Sequence, residues 1–217
     1  MNFDVLVIKT EKNKEFWPTT FASLENHPIR ICEIDGNNQS MFNNIHRWPD
    51  ICTSKYISFV CDDDLVADGA FEKCARFLEE KPHVKAMYTN SWWVDSVKNT
   101  DRLLYNTNHK WDIEWQLQGT VPVHHLVVVE RELVGYAIDR VRRLPEYEEM
   151  VMWYPNEVIL FCIIATQTPW YFYPEVLYTW RRHALSESNR PKGNEERAMI
   201  VKVRKLQREI FRDERIY

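Results

Sequence analysis

The stretch Tyr56-Ile57-Ser58-Phe59-Val60-Cys61-Asp62-Asp63-Asp64-Leu65 decides how this chain is read. An apolar run of strand length ends abruptly in three carboxylates. Acids at the mouth of a buried strand are costly unless they are solvated or hold a cation. Two readings follow. One is a solvated turn that supplies caps to the next helix. The other is a site for a hard divalent cation and a phosphate ligand. The elements on either side separate them.

Upstream, Asp4 to Lys9 predicts a strand, and residues 16–24 predict a helix with Pro18 in its first turn. A strand at 29–33, a turn at Asp35-Gly36-Asn37-Asn38 and a helix at 39–51 lead to the strand 56–61. Downstream, Phe71, Cys74, Ala75, Phe77 and Leu78 recur at helical spacing within 69–80, and 86–89 predicts a fourth strand. Strands alternating with helices imply βαβ units, hence an α/β fold with a Rossmann-like, mostly parallel central sheet flanked by helices. Ligands of such sheets bind beyond the carboxyl ends of the strands. Lys9, Thr10, Glu33, Asp35 and the triplet all fall at that edge.

Beyond residue 90 the pattern changes. Residues 91–97 and 102–105 predict a small antiparallel sheet around Lys98-Asn99-Thr100-Asp101, and 126–129 is a further short apolar run. Residues 156–167 predict an apolar helix with one acid, Glu157, in its first turn. Aromatic strands are expected at 170–173 and 176–180. Met199, Val203, Leu206 and Ile210 mark an amphipathic C-terminal helix over 195–212. One domain over 1–217 accounts for this order, with one half at 1–97, a second at 98–190 and the C-terminal helix after them.

The formal charge of −4 and pI near 6.0 argue against bulk electrostatic binding of nucleic acid. Residues 181–217 nevertheless hold eleven Lys and Arg against six Asp and Glu, a local excess able to track phosphates. Five cysteines without CxxC spacing, mostly in apolar segments, read as buried thiols in a reducing compartment and exclude a structural zinc motif. A strand begins at the N-terminus where a signal peptide would need basic and apolar regions, and no run reaches the length of a membrane span. A cytoplasmic protein is expected. Nine tryptophans and ten tyrosines are split between core filling and a groove for sugars or bases, since flat rings stack on both.

The ordered set of the Asp35-Gly36 turn, the strand and triplet 56–65, a helix, a Tyr88-containing strand and a late Tyr178-x-x-Arg181-x-His183 resembles the family 2 GT-A glycosyltransferases over residues 4 to 190. The resemblance implies transfer of a sugar from a nucleoside-diphosphate donor, UDP-linked, to a glycan or glycoprotein hydroxyl. By position it puts Thr10 and Asp35 at the uracil and ribose with Glu33 in support, Asp62 facing the ribose, and Asp63 at the metal, Mn²⁺ or Mg²⁺. Asp64 becomes a supporting acid or alternative ligand, and His183 approaches the metal or the diphosphate. His124 and His125 match a stretch facing the donor sugar; adjacent residues of an extended segment point to opposite faces, so one of them serves. His125 is the residue assigned.

The same resemblance sets the general base at a helix start a little under twenty residues before Pro174-Glu175, which falls on Asn156-Glu157. Glu148 and Glu149 compete for that role. Transfer with one base and one in-line displacement inverts the anomeric centre. Compact members without membrane anchors are similar to those of large algal DNA viruses, where they build capsid glycans, and Arg212-Asp213-Glu214-Arg215 would suit a linker into further domains. A phage-type enzyme acting on hydroxymethylated DNA bases, and a non-catalytic nucleotide-sugar binder in which Cys61 replaces an acid, are the alternative readings.

Overall fold

In a computed structural model of the chain, residues 3–37, 40–105, 109–112, 114, 123, 125–153, 157–186, 189 and 191–215 are described. Strand β1 (Phe3–Lys9) leads through a 3-10 turn (Glu11–Asn13) into α1 (Trp17–Glu25), and β2 (Ile29–Asp35) follows. The single helix expected over 39–51 is two short ones, α2 (Met41–Ile45) and α3 (Trp48–Ile51). Pro49 accounts for the break, because it has no N–H to continue a helical ladder and fits only in a first turn. Then come β3 (Tyr56–Cys61), the two-residue β4 (Leu65–Val66) and α4 (Ala70–Glu80).

The expected strands at 86–89 and 91–97 are one element, β5 (Ala86–Asp95), which turns into β6 (Thr100–Leu103). Asn99 takes a positive φ of 50° in that turn, and Asp95 Oδ1 accepts from the N–H groups of Val97 and Lys98 at 3.0 Å each. After β7 (Val127–Glu130) come α5 (Arg131–Arg142) and α6 (Tyr147–Trp153), neither anticipated from sequence. Val134, Ala137, Ile138 and Val141 are the buried stripe of α5, and their three- and four-residue spacing is the signal that could have revealed it. The helix α7 (Val158–Gln167) is followed by β8 (Tyr171–Arg182), which unites both expected aromatic strands, and by α8 (Asn194–Glu214). The pairing of β8 with β5 slips at Pro174-Glu175, as Tyr173 faces Thr89 and Val176 faces Asn90. A residue with no N–H is accommodated at such a bulge.

The strands form one sheet ordered β2-β1-β3-β7-β5-β8-β4, with β6 paired to β5. The pairings of β1 with β2 and β3 are parallel, β7 lies antiparallel between β3 and β5, and β8 runs parallel to β5. Thus β1, β2, β3, β5 and β8 all point one way, and the antiparallel strands extend this same sheet. Both faces are covered. Leu24 of α1 and Phe71, Cys74 and Leu78 of α4 pack on Val5, Val7, Tyr56 and Val60. On the other face α5, α7 and α8 enclose Leu6, Ile57, Phe59 and Val127. Residues Ile159 to Thr166 of α7 are all buried, because that helix is sandwiched between α5 and α8.

Asp4 ties the opposite edge of the sheet. Its buried carboxylate accepts from Arg30 Nε (3.0 Å) and Nη2, the N–H groups of Thr53 and Ser54 (2.9 Å for the latter), and Ser54 Oγ (2.8 Å). Burial alone would raise its pKa, but these donors more than reverse that and hold it well below the usual carboxylate range. Cys32 and Cys52 lie beside it, with ligand atoms within 4.8 Å of its oxygens. The donors already gathered there leave that carboxylate little capacity for a cation.

Candidate active site

The parallel register brings the ends of three strands together. Lys9 faces Asp35 across β1 and β2, and Ile8 faces Cys61 across β1 and β3. Thr10, Asp35 and the triplet therefore share one edge. At Gly36 the chain passes so close to β1 that an added Cβ would lie 2.6 Å from Ile8 Cγ2 and 3.1 Å from Lys9 O, so only glycine permits this approach. Asp35 is exposed and its Oδ1 accepts from Asn37 N (2.9 Å) and Nδ2 (2.8 Å). Glu33 is exposed two residue pairs behind this edge, paired to Lys9 Nζ at 3.0 Å.

The three acids have three different environments. Asp62 is turned toward the protein. Its Oδ2 accepts from Thr10 N (2.6 Å), Thr10 Oγ1 (3.0 Å) and Trp17 Nε1 (3.1 Å), and its Oδ1 from Asn13 Nδ2 (2.6 Å). Its carboxylate thus holds the segment between β1 and α1 in place. Asp64 is 0% exposed, with Oδ2 accepting from Tyr178 Oη (2.6 Å) and Oδ1 from Arg181 N (2.7 Å). It braces β8 rather than facing outward.

Asp63 is the most exposed of the three, its side chain 13% exposed, with Oδ2 at 2.9 Å from His183 Nε2. Its main-chain carbonyl accepts from Arg181 Nε, and the same guanidinium reaches Thr19 Oγ1 and Thr20 Oγ1 at 3.0 Å. Phe16 packs on both neighbours, its ring 4.3 Å from that of His183 and 4.9 Å from the Arg181 guanidinium carbon. Burial raises the Asp63 carboxyl despite the pairing with His183, and burial together with Asp63 pushes Asp64 well above the normal range. Carboxylates crowded in this way are short of positive charge.

Cys61, Asp63 and Asp64 offer ligand atoms within 4.8 Å of one another. Burial, with Asp64, Asp63 and Glu157 nearby, pushes the Cys61 thiol well up, so it stays protonated and is no ligand for a hard cation. Asp63 and His183 fit better. They are in direct hydrogen-bond contact at 2.9 Å, and an ion held between them would take the place of that contact.

Glu157 stands immediately before α7, where Leu160 N donates to its carbonyl at 2.8 Å. Its side chain is 13% exposed and forms no cap, and its Oε1 lies 3.6 Å from His125 Nε2. His125 is fixed by the rings of Phe59 (5.1 Å) and Tyr178 (5.5 Å), and its carbonyl accepts from Ser91 Oγ. Tyr178 bonds Asp64, so a short chain of contacts joins Glu157 to the triplet. Glu148 and Glu149 lie elsewhere: both are exposed on α6, and Glu149 Oε2 meets Lys202 Nζ of α8 at 2.6 Å. His124 and Asn156 lie outside the described residues.

Sequence reasoning missed Asn13, Trp17, Thr20 and Phe16 as supports of the triplet. Their partners lie more than forty residues away in the chain, and no local pattern reports such a contact. Tyr178 and Arg181 were visible only as members of the late motif.

No family model and no curated protein matches the chain. Solved structures do. Staphylococcus aureus TarS 1-349 in complex with UDP-GlcNAc is similar with a TM-score of 0.66 at 11% identity, covering 95% of this chain and 66% of that one. The same fragment in complex with UDP gives 0.61 at 11% identity, covering 95% and 65%. The fold is GT-A. Identity this low establishes architecture alone, and the chain spans just under two thirds of the length of these TarS fragments. Among the described residues no helix is long and apolar enough to cross a membrane.

Proposed function

We propose that the chain is a metal-dependent, inverting glycosyltransferase that moves a sugar from a UDP-linked donor to a hydroxyl of a glycan or glycoprotein, with capsid glycans as the acceptor class in a viral setting. One observation carries the reading. At one edge of a fold shared with a protein crystallised with UDP-GlcNAc, a carboxylate–imidazole pair (Asp63, His183) and a second such pair (Glu157, His125) converge on Cys61 and Tyr178.

Thr10 and Asp35 line the nucleoside end. Asp62 acts there indirectly, by holding Thr10 through its N–H and hydroxyl. Asp63 and His183 would hold Mn²⁺ or Mg²⁺, with Asp64 bracing them through Tyr178 and Arg181. Such a cation neutralises the diphosphate leaving group. Glu157 takes the proton of the acceptor hydroxyl, and the freed oxygen attacks the anomeric carbon from the side opposite the diphosphate. His125 faces the donor sugar while its ring edge keeps Glu157 in position.

Calorimetry of UDP and UDP-GlcNAc with Mn²⁺ and with chelator tests this reading. UDP should bind more tightly with Mn²⁺, and Asp63→Asn should erase about tenfold of that gain without lowering the melting temperature. Equal UDP affinity in chelator, or unchanged binding by Asp63→Asn, removes the metal from the proposal. Asp35→Ala should weaken UDP and the intact donor by the same factor, roughly 3–10-fold, the size of one hydrogen bond. Loss of donor binding with UDP unaffected would move Asp35 to the sugar side.

A further inference from the structure

We infer that the outer face of α8 is a docking surface for anionic lipid membranes. Along this helix Arg197, Val201, Arg204, Arg208 and Arg212 are exposed. At 100° per residue they fall within an arc of about 80°, a straight stripe roughly 22 Å long. Among the described residues, Arg197, Arg204 and Arg208 have no acidic partner within 4 Å, although Lys202, Lys205 and Arg212 do. A chain of net charge −4 thus concentrates unneutralised guanidinium groups on one line. Charge complementarity calls for an extended polyanion.

The geometry favours a plane over a nucleic-acid groove. The opposite side of α8 is packed into the protein through Met199, Val203, Gln207, Ile210 and Phe211. That side is unavailable to a ligand, so α8 offers its outer line alone rather than two flanks. Glu209 and Asp213 also flank the stripe, roughly 100° or more from Arg208, where groove walls would bring phosphates against them. A planar surface touches a helix along one line, here Arg197, Arg204 and Arg208, while Glu209 and Asp213 are paired to Lys205 and Arg212. In the middle of that line Val201 is 68% exposed, an apolar contact for the boundary between headgroups and acyl chains.

The test is co-sedimentation of the 217-residue chain with vesicles of phosphatidylcholine alone and with about 30% phosphatidylserine, at low and high salt, with duplex DNA as competitor. Binding should need phosphatidylserine and be lost at about 0.5 M salt. Arg197→Gln/Arg204→Gln/Arg208→Gln should weaken it about 10²-fold while leaving the melting temperature unchanged. The corresponding triple lysine variant, which keeps the charge, should still bind. Absence of binding to phosphatidylserine vesicles, equal binding by the glutamine variant, or displacement of the vesicles by duplex DNA through the same arginines would overturn the inference.

Discussion

Glu157→Gln is expected to lower glycosyl transfer by about 10²–10⁴-fold while donor binding persists. The substitution keeps the size of the side chain and its reach toward His125 but removes the capacity to accept a proton. Glu157 makes no side-chain cap to α7. The stability change should therefore stay within the roughly 0.3–1 kcal/mol of a charge at a helix start. Single-turnover transfer, read with a melting curve and a UDP titration, separates chemistry from folding and binding. Glu149→Gln serves as the control, since Glu149 is engaged with Lys202 on α8 and should transfer normally. Near-normal transfer by Glu157→Gln would exclude it as the base.

Asp4→Ala should destabilise the fold by about 3 kcal/mol, from two main-chain N–H donors losing a charged acceptor at about 1.5 kcal/mol each. Arg30 adds little, since its side chain is 54% exposed and water takes over its pairing. For a chain of this size the melting temperature should fall by roughly 6–12 °C. The variant should also change the acid limb of the stability curve. The folded carboxyl sits below the unfolded value of about 3.9, so its contribution is complete above that pH and is lost as the pH drops further toward the folded value. Wild-type protein should thus lose stability below about pH 4 more steeply than Asp4→Ala. Parallel curves for the two proteins would show that Thr53 and Ser54 gain nothing from the charge.

The βαβ order of the first half was legible because hydrophobic period and turn residues are local: the strands at 4–9, 29–33 and 56–61 lie within the observed β1, β2 and β3. The expected C-terminal helix was likewise found, two residues longer at its end. The helices α5 and α6 were not expected, because charged residues are interleaved with the apolar spacing of Val134, Ala137, Ile138 and Val141 and crowd the start of α6. The two aromatic strands were separated at Pro174 because proline reads as an end of pairing, whereas tertiary structure absorbs it in a bulge against β5.

The sequence by itself determined that acids gather at the carboxyl edge of a largely parallel sheet, because strand polarity and loop composition are written residue by residue. His125, Glu157 and His183 were singled out by the family resemblance rather than by composition or spacing. Only the tertiary structure shows which partners each acid of the triplet meets. Asp62, Asp63 and Asp64 are chemically identical in a row, and their difference arises from partners brought in from α1 and β8. Trp17 and Asn13 claim the first, His183 meets the second, and Tyr178 and Arg181 enclose the third. A carboxylate's role is set by the donors and water around it, and those come from chain segments that sequence order keeps far apart.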